Sequence, residues 1–549
     1  MSRRNTRTET RKCAAVELQS GTDTLQSLKS VVPTTKGRTM KTIDGGSRLV
    51  PLLLAGLTLT GGMTALSPTI AVAAKKSSTA SKARTSTTVA TTAAPATAAP
   101  TTAPTKAGPV AVSEPCPPQA TPSEKCFHVA VPLDYAHPDG PTMNIGVTIV
   151  KATDAKGDAI VSPVLTLLND FYSLSFAFPP PDQFAGHDVV YVDRRGTSDR
   201  SGSVLPNCPG MSVFTPELNI RRIGTTLAGL LASCVSNAMK APTPLAMIVD
   251  RDLAAADLAT VRKALAIEKW AIHTAGMGVD VALRLMNRDP GAVTAILAET
   301  PAVQGKGITA TTALGAFDRF AADCAKVPAC AAKGDMNALL AKSMERAKAI
   351  IITRVPAGAG GGGVNIDRRA LIGGVNNALR RPVFLPRLSD LLIGEATGAG
   401  DDITGGLYAQ TPAPQNAPSL VTGCQNTSGD GFARADAGKI TNNPWTFLND
   451  EDVCDAIGTI PVINPPPSVS ASIPVLSAQG DYQPAQSVEK TKAIFAGFPN
   501  TQIVSVPGNS YPPDCFRQSV GQAFFDAPTK PVDTSCLTNP ATRIPLVIS

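Results

Sequence analysis

The sequence predicts an α/β chain, a mostly parallel central sheet split by an inserted helical cap. Three observations carry that reading. Short apolar runs of strand length alternate with amphipathic helical stretches between Phe127 and Leu297, the pattern of βαβ units. The strand signal fades after 303 while helical stretches continue, and it returns after 470. With 549 residues, 43% of them hydrophobic and 17% charged, the chain has enough apolar side chains for a large core.

Phe127 to Leu133 and Met143 to Val150 open the body as strands. The continuous apolar run Val161 to Leu168 reads as a strand buried on both faces, and Asp188 to Val192 as another. Asp250 to Leu265 reads as a helix, with Leu253, Asp257, Leu258 and Val261 at helical spacing and Asp250 or Asp252 as N-cap. Trp270 to His273 is a short strand, Gly278 to Asn287 the helix leaving it, and Val293 to Leu297 the strand after that. Beyond 303 the helical stretches are Thr309 to Cys324, Met336 to Ile351, Arg368 to Arg380 and Leu385 to Glu395, with a flexible run at Ala357 to Gly363. Ile473 to Leu476 and Gln502 to Val506 return to strand around a helix from Gln486 to Phe495. The expected organisation is core at 111–302, cap at 303–469 and core again at 470–549.

The residues before 111 read as address and spacer. Residues 1–39 are a polar upstream extension. Residues 40–73 have the form of an export signal: Lys41 and Arg48, a leucine-rich stretch from Leu49 to Leu59, and the small-residue site Ala71-Val72-Ala73. An uncleaved anchor is the alternative, because residues 49–74 carry no charge over a length that spans a bilayer. Residues 74–110, rich in Ala, Thr and Pro, lack bulky apolar groups and form a linker. A secreted or cell-surface protein is expected. Of the formal charge of +7, residues 1–110 carry +11, which leaves −4 on the body and no basic stripe for nucleic acid.

Beyond Cys13 there are ten cysteines, none in a C-x-x-C or a Cys/His cluster of zinc spacing, so neither metal nor cofactor is expected. By proximity they fall into five local pairs: Cys116 with Cys126, Cys208 with Cys234, Cys324 with Cys330, Cys424 with Cys454, and Cys515 with Cys536. Other connectivities stay open. An oxidising compartment agrees with export.

Several motifs now stand in order along residues 112 to 545. They are Val131-Pro132-Leu133-Asp134-Tyr135 with Pro138, the turn Asp193-Arg194-Arg195-Gly196 leading to Cys208, and Asp257-Leu258-Ala259-Thr260-Val261-Arg262 ahead of a strand. Cys324 with Cys330, and Cys515 with Cys536, follow. This order resembles the tripeptidyl aminopeptidase-like branch of the proline iminopeptidase family, secreted α/β-hydrolases. The resemblance implies an α/β-hydrolase fold with a helical cap and a serine, acid, histidine triad in that order.

The three places where that chemistry belongs all depart from the pattern. The G-x-S-x-G elbow, whose serine sits on a tight strand-to-helix turn, corresponds to Thr274-Ala275-Gly276-Met277-Gly278, which puts Gly276 at the nucleophile position. The glycine-rich loop of the oxyanion hole corresponds to Asn169-Asp170-Phe171-Tyr172-Ser173-Leu174, where side chains replace glycines that let a backbone approach the substrate oxygen. The base position falls on Tyr511, in Val506-Pro507-Gly508-Asn509-Ser510-Tyr511. A phenol of pKa about 10 is a poor proton acceptor at neutral pH. All four histidines, at 128, 137, 187 and 273, precede the nucleophile position. Asp481, in Gly480-Asp481-Tyr482-Gln483-Pro484, is the one triad position retained, and a turn role suits it better with no imidazole to orient.

The reading is therefore a secreted hydrolase-fold protein that is catalytically inactive and binds a peptide or small molecule in a cleft under the cap. Asn169, Asp170, Phe171, Tyr172, Thr274, Gly276, Met277 and Tyr511 are the candidate cleft residues. One alternative is a divergent hydrolase with Thr274 as nucleophile. Adjacent strand residues point to opposite faces, which keeps His273 from serving Thr274 as base. The other is an extracellular protein-interaction module. Asp280 near a helix start is expected as a cap, the remaining histidines as structural, and Trp270 and Trp445 as core.

Overall fold

The computed structural model describes residues 108–152, 160–168, 184–196, 245–303, 310–347, 351–398 and 466–547, apart from a few positions within these spans, with scattered residues between 233 and 240. The segments expected as upstream extension and export signal, nearly all of the expected linker, Trp445 and the cysteines 208, 234, 424 and 454 lie outside them. No helix among the described residues is long and apolar enough to cross a membrane.

One nine-stranded sheet runs through the body. Its strands are β1 (Ala111–Glu114), β2 (Glu124–Pro132), β3 (Thr142–Val150), β4 (Val164–Leu168), β5 (Val189–Val192), β6 (Trp270–Ala275) and β7 (Val293–Glu299). After a small hairpin, β8 (Ile351–Val355) with β9 (Gly362–Ile366), come β10 (Val475–Gly480) and β11 (Thr501–Val506). The order across the sheet is β1-β2-β3-β5-β4-β6-β7-β10-β11. The first four of these pair antiparallel, and β5 through β11 run parallel. This is an α/β-hydrolase-like architecture with a helical cap region.

Period-two alternation divides the core between two faces of the sheet. Leu165, Val190, Ile272, Ile296, Ala298 and Val475 bury against α1 (Arg251–Ala264) and α2 (Gly278–Arg288). Their neighbours Val164, Val189, Leu297, Leu476 and Ala478 bury against Phe516, Val520, Phe524 and Phe525. Helix α1 starts where its sequence allows: Asp250 accepts from the N–H groups of Asp252 and Leu253, satisfying donors that the first turn leaves open. Trp270 is core, as expected.

The cap helices are α3 (Ala310–Lys326), α4 (Met336–Arg346), α5 (Arg368–Arg380) and α6 (Leu388–Thr397), packed around Phe317, Phe320, Leu340, Leu371, Leu379 and Leu391. Three expectations need correction here. The helix expected from Met336 to Ile351 stops at Arg346, and Ile351-Ile352-Thr353 opens β8, because β-branched side chains favour extended backbone. Gly362 and Gly363, expected in a flexible run, belong to β9. The helix expected from Leu385 begins as a 3-10 turn, Leu385–Arg387, around Pro386 and becomes α-helical at Leu388. Three of the five expected disulfides are present, Cys116–Cys126, Cys324–Cys330 and Cys515–Cys536.

One ion pair ties three separated motifs together in the fold. Arg195, with no exposed surface, donates from Nε and Nη2 to the two carboxylate oxygens of Asp257 at 2.7 and 2.6 Å, and from Nη1 to the Leu133 carbonyl at 2.9 Å. Tyr135 donates to the same carboxylate at 3.0 Å and lies 2.9 Å from the Thr260 hydroxyl. The lead-in, the arginine turn and helix α1 thus close on one buried, bidentate pair.

Candidate functional site

The chain reverses its direction of spread across the sheet between β4 and β6, which are neighbours although β5 intervenes in sequence. Ligands of open parallel sheets sit outside the carboxyl ends of the strands at such a switch point. Two of the three places singled out in the sequence leave from it. The loop after β4, with Asn169, Asp170, Phe171 and Tyr172, lies outside the described residues. The turn after β6 is Gly276-Met277 leading into α2.

That turn is a tight strand-to-helix turn with a glycine at its apex. Gly276 takes φ +54°, the left-handed region that side chains resist. Its N–H donates to the Glu299 carbonyl at 3.1 Å and its own carbonyl accepts from Ala302 N–H at 2.9 Å, so the turn is tied to the end of β7. Gly278 permits the close approach of helix to sheet: a Cβ there would stand 2.2 Å from the Leu167 carbonyl oxygen and 2.6 Å from Thr274 Oγ1. Gly278→Ala is expected to cost about 3 kcal/mol, the upper end for overpacking, because the main obstacle is backbone. A thermal melt of the variant checks it, and an unchanged midpoint would contradict the geometry.

Thr274 has no exposed surface, and its hydroxyl, pressed against the start of α2, has no hydrogen-bond partner among the described residues. His273 points the other way. Its Nε2 lies 2.7 Å from Glu299 Oε1, and its ring meets Phe184 edge-on at 5.4 Å between centroids. Arg517 closes the group, donating from Nε at 2.8 and 3.0 Å to both Glu299 oxygens and from Nη2 at 2.9 Å. Burial opposes the charge on Glu299, but the His273 bond and the Arg517 guanidinium outweigh it and hold the carboxyl down at about 2. A carboxylate saturated in this way is a structural anion. Thr300, next in the chain, takes φ +43°, strained for a β-branched residue, and its N–H donates to the Ala478 carbonyl at 2.9 Å.

Asp481 and Tyr511, the positions expected for the acid and the base, lie on the loops that follow β10 and β11. Asp481 donates its N–H to the Val506 carbonyl at 3.1 Å and accepts at its carboxylate from the Ser505 hydroxyl. Its carbonyl accepts from Arg319 of α3 at 2.7 Å. The Asn509 carbonyl accepts from Tyr482 N–H at 3.0 Å, and Gly480 abuts Asn509 and Ser510, so the two loops pack as one. Tyr511 is half-buried. Met277, half-buried, begins α2 without a side-chain cap.

The other histidines are engaged elsewhere: His128 with Glu114 at 3.0 Å, His137 with Asp134 at 2.8 Å, and His187 with the Ser162 carbonyl and Asp526 at 3.0 and 3.1 Å. Asp280 is not the cap expected of it. It is fully buried, accepts from Arg284 Nε at 2.6 Å and lies 3.5 Å from Arg251 Nη1. Sequence reading missed Glu299 and Arg517. They stand 218 positions apart, and only the charge at the end of the apolar run Val293 to Ala298 hinted at a buried partner.

No family model matches the chain, and no curated protein matches it. Among solved structures it is similar to a proline iminopeptidase from Mycobacterium smegmatis, at 14% identity over 73% of this chain and 96% of that one, TM-score 0.30. It is similar also to an esterase from a Rhodococcus species, at 15% identity over 70% and 95%, TM-score 0.29. A third is a proline iminopeptidase-related protein from Thermus thermophilus, at 13% over 73% and 92%, TM-score 0.26. Likenesses this distant carry nothing about activity, and the fold rests on the sheet order.

Proposed function

We propose that this chain is an exported hydrolase-fold protein of the tripeptidyl aminopeptidase-like pattern that has lost catalysis and uses its cleft under the cap to bind a peptide or small molecule. The observation that carries the reading is Gly276 at φ +54°: the elbow persists, and the residue at its apex has no atom to attack with. Tyr511 at the base position and the engagement of all four histidines elsewhere support it. The burial of the rival nucleophile, Thr274, under α2 supports the same reading.

The test is hydrolysis by the purified mature protein of aminoacyl and short-peptide chromogenic substrates and an ester panel, beside Gly276→Ser and Thr274→Ala. No turnover is expected from any of them. Gly276→Ser gains a hydroxyl but has no imidazole to deprotonate it. Turnover by the unmodified protein that disappears in Thr274→Ala overturns the proposal, and turnover by Gly276→Ser alone shows that the base stands elsewhere.

A further inference from the structure

The turn between α5 and α6 exposes what folding buries elsewhere. Val383 is 69% exposed, the most of any large apolar side chain among the described residues. It stands at the tip of a tight turn: Phe384 N–H donates to the Arg381 carbonyl at 2.9 Å and Leu385 N–H to the same oxygen at 3.2 Å, with Pro382 and Val383 between. Proline fixes its own φ, and the next two residues, the buried Phe384 and Leu385, root the turn in the apolar cluster of the cap. The tip is therefore held away from that cluster. Turns favour glycine, asparagine, aspartate or serine beside proline, so the local backbone gives no reason for a valine here.

Three exposed arginines surround the tip. Arg380 ends α5, Arg381 opens the turn and Arg387 ends the 3-10 turn that follows. The Arg381 guanidinium lies over the Phe384 ring, 5.9 Å from Cζ to the centroid, which stations it on the turn. None of the three arginines makes an ion pair among the described residues. The one carboxylate between positions 380 and 390 is Asp390, and Lys333 takes it. On a mildly acidic body, this turn gathers unpaired positive charge around an exposed apolar point.

A partner that is only anionic engages the arginines and leaves Pro382 and Val383 in water. One that is only apolar strips water from three cations without replacing it. The boundary of an anionic bilayer meets both demands, with phosphates for the guanidinium groups and the edge of the acyl layer for the tip. We propose that this turn docks the cap reversibly on a bilayer surface rich in anionic phospholipid, with Val383 in the interface and Arg380, Arg381 and Arg387 at the headgroup phosphates. Each arginine near such a surface multiplies the partition roughly fivefold, so the three together give about a hundredfold over a neutral bilayer. Salt screens the attraction, so attachment falls as ionic strength rises. The docking is independent of what the cleft binds and of whether the chain turns over a substrate.

The test uses the purified mature protein, so that the apolar stretch before residue 74 adds no attachment of its own. Co-sedimentation with vesicles of phosphatidylcholine, alone or mixed with phosphatidylglycerol, reads the partition. Because Lys75, Lys76, Lys82, Arg84 and Lys106 precede the body, a second readout reports on the tip itself: Val383→Cys carrying an environment-sensitive fluorophore. Binding is expected to the mixed vesicles alone, with a blue shift of the fluorophore. Changing all three arginines to glutamine is expected to weaken it about a hundredfold, and Val383→Ser about tenfold. The substituted side chains are exposed, so these variants are expected to keep the thermal midpoint of the parent; should one fail to fold, the fluorophore decides. Equal binding by the parent and the glutamine variant, equal binding to both kinds of vesicle, or vesicle-bound protein whose fluorophore stays in water overturns the proposal. Binding to polyglutamate but not to vesicles overturns it in favour of an acidic polymer, and binding to neither removes the surface altogether.

Discussion

Asp257→Ala is expected to lower the unfolding free energy by roughly 3–5 kcal/mol, the cost of stranding a buried charge. Arg195 has no exposed surface, so its guanidinium loses two charge-assisted bonds with no water to replace them. Tyr135 loses its acceptor as well. Because the pair joins the lead-in, the arginine turn and α1, the loss is expected across the whole body. A urea midpoint measured by tryptophan fluorescence reads it, since Trp270 lies on β6 among the residues that α1 covers. Replacing both partners by apolar residues, Arg195→Met with Asp257→Leu, is expected to recover most of the loss. A single variant as stable as the parent would mean that the pair does not hold these segments together.

The second large effect is at Glu299, and it depends on pH. The carboxyl is held at about 2 in the folded protein, against the usual glutamate value near 4.3 in an unfolded chain. A depressed carboxyl contributes stability that is complete above the unfolded value and is lost as pH falls through the folded one. The window therefore runs from about pH 4.5 down to about pH 2. A shift of this size is worth roughly 3 kcal/mol at neutral pH. Glu299→Gln removes that contribution and leaves His273 buried beside a neutral amide, while Arg517, 36% exposed, turns to water. The stability difference between parent and variant is expected to be largest near neutral pH and to shrink towards pH 2. Urea midpoints across that range check it, and a difference independent of pH would contradict the assignment of charge to Glu299.

The sequence was most legible where one physical signal dominates. The apolar runs of β4 and β7 and the Asp250-capped helix α1 needed only periodicity and a cap to be found. Local cysteine pairs were legible because short loops close cheaply. Strand β1 was not legible: a strand of four residues, set between Pro109 and Pro115, is too short a run to show alternation. The hairpin of β8 and β9 was hidden by the glycines that looked like a flexible run.

The candidate site divides in the same way. The elbow was readable from Gly276 and Gly278 because backbone demands restrict residue type locally. The link from His273 through Glu299 to Arg517 was not, because it joins elements 26 and 218 positions apart through side chains that tertiary packing alone brings together. The role of Arg195 was likewise silent. The motif containing it stood out as a pattern, and only the fold shows that its partner is the aspartate of another motif.

The proposed loss of catalysis requires that the turn after β6 present no nucleophile. Labelling with a fluorophosphonate probe, read as intact mass and then mapped by peptide, tests it most directly, because the reagent reports an activated hydroxyl without any assumption about substrate. No adduct is expected on the unmodified protein. A stoichiometric adduct on Thr274, or on any other hydroxyl at the carboxyl ends of the strands, would contradict it.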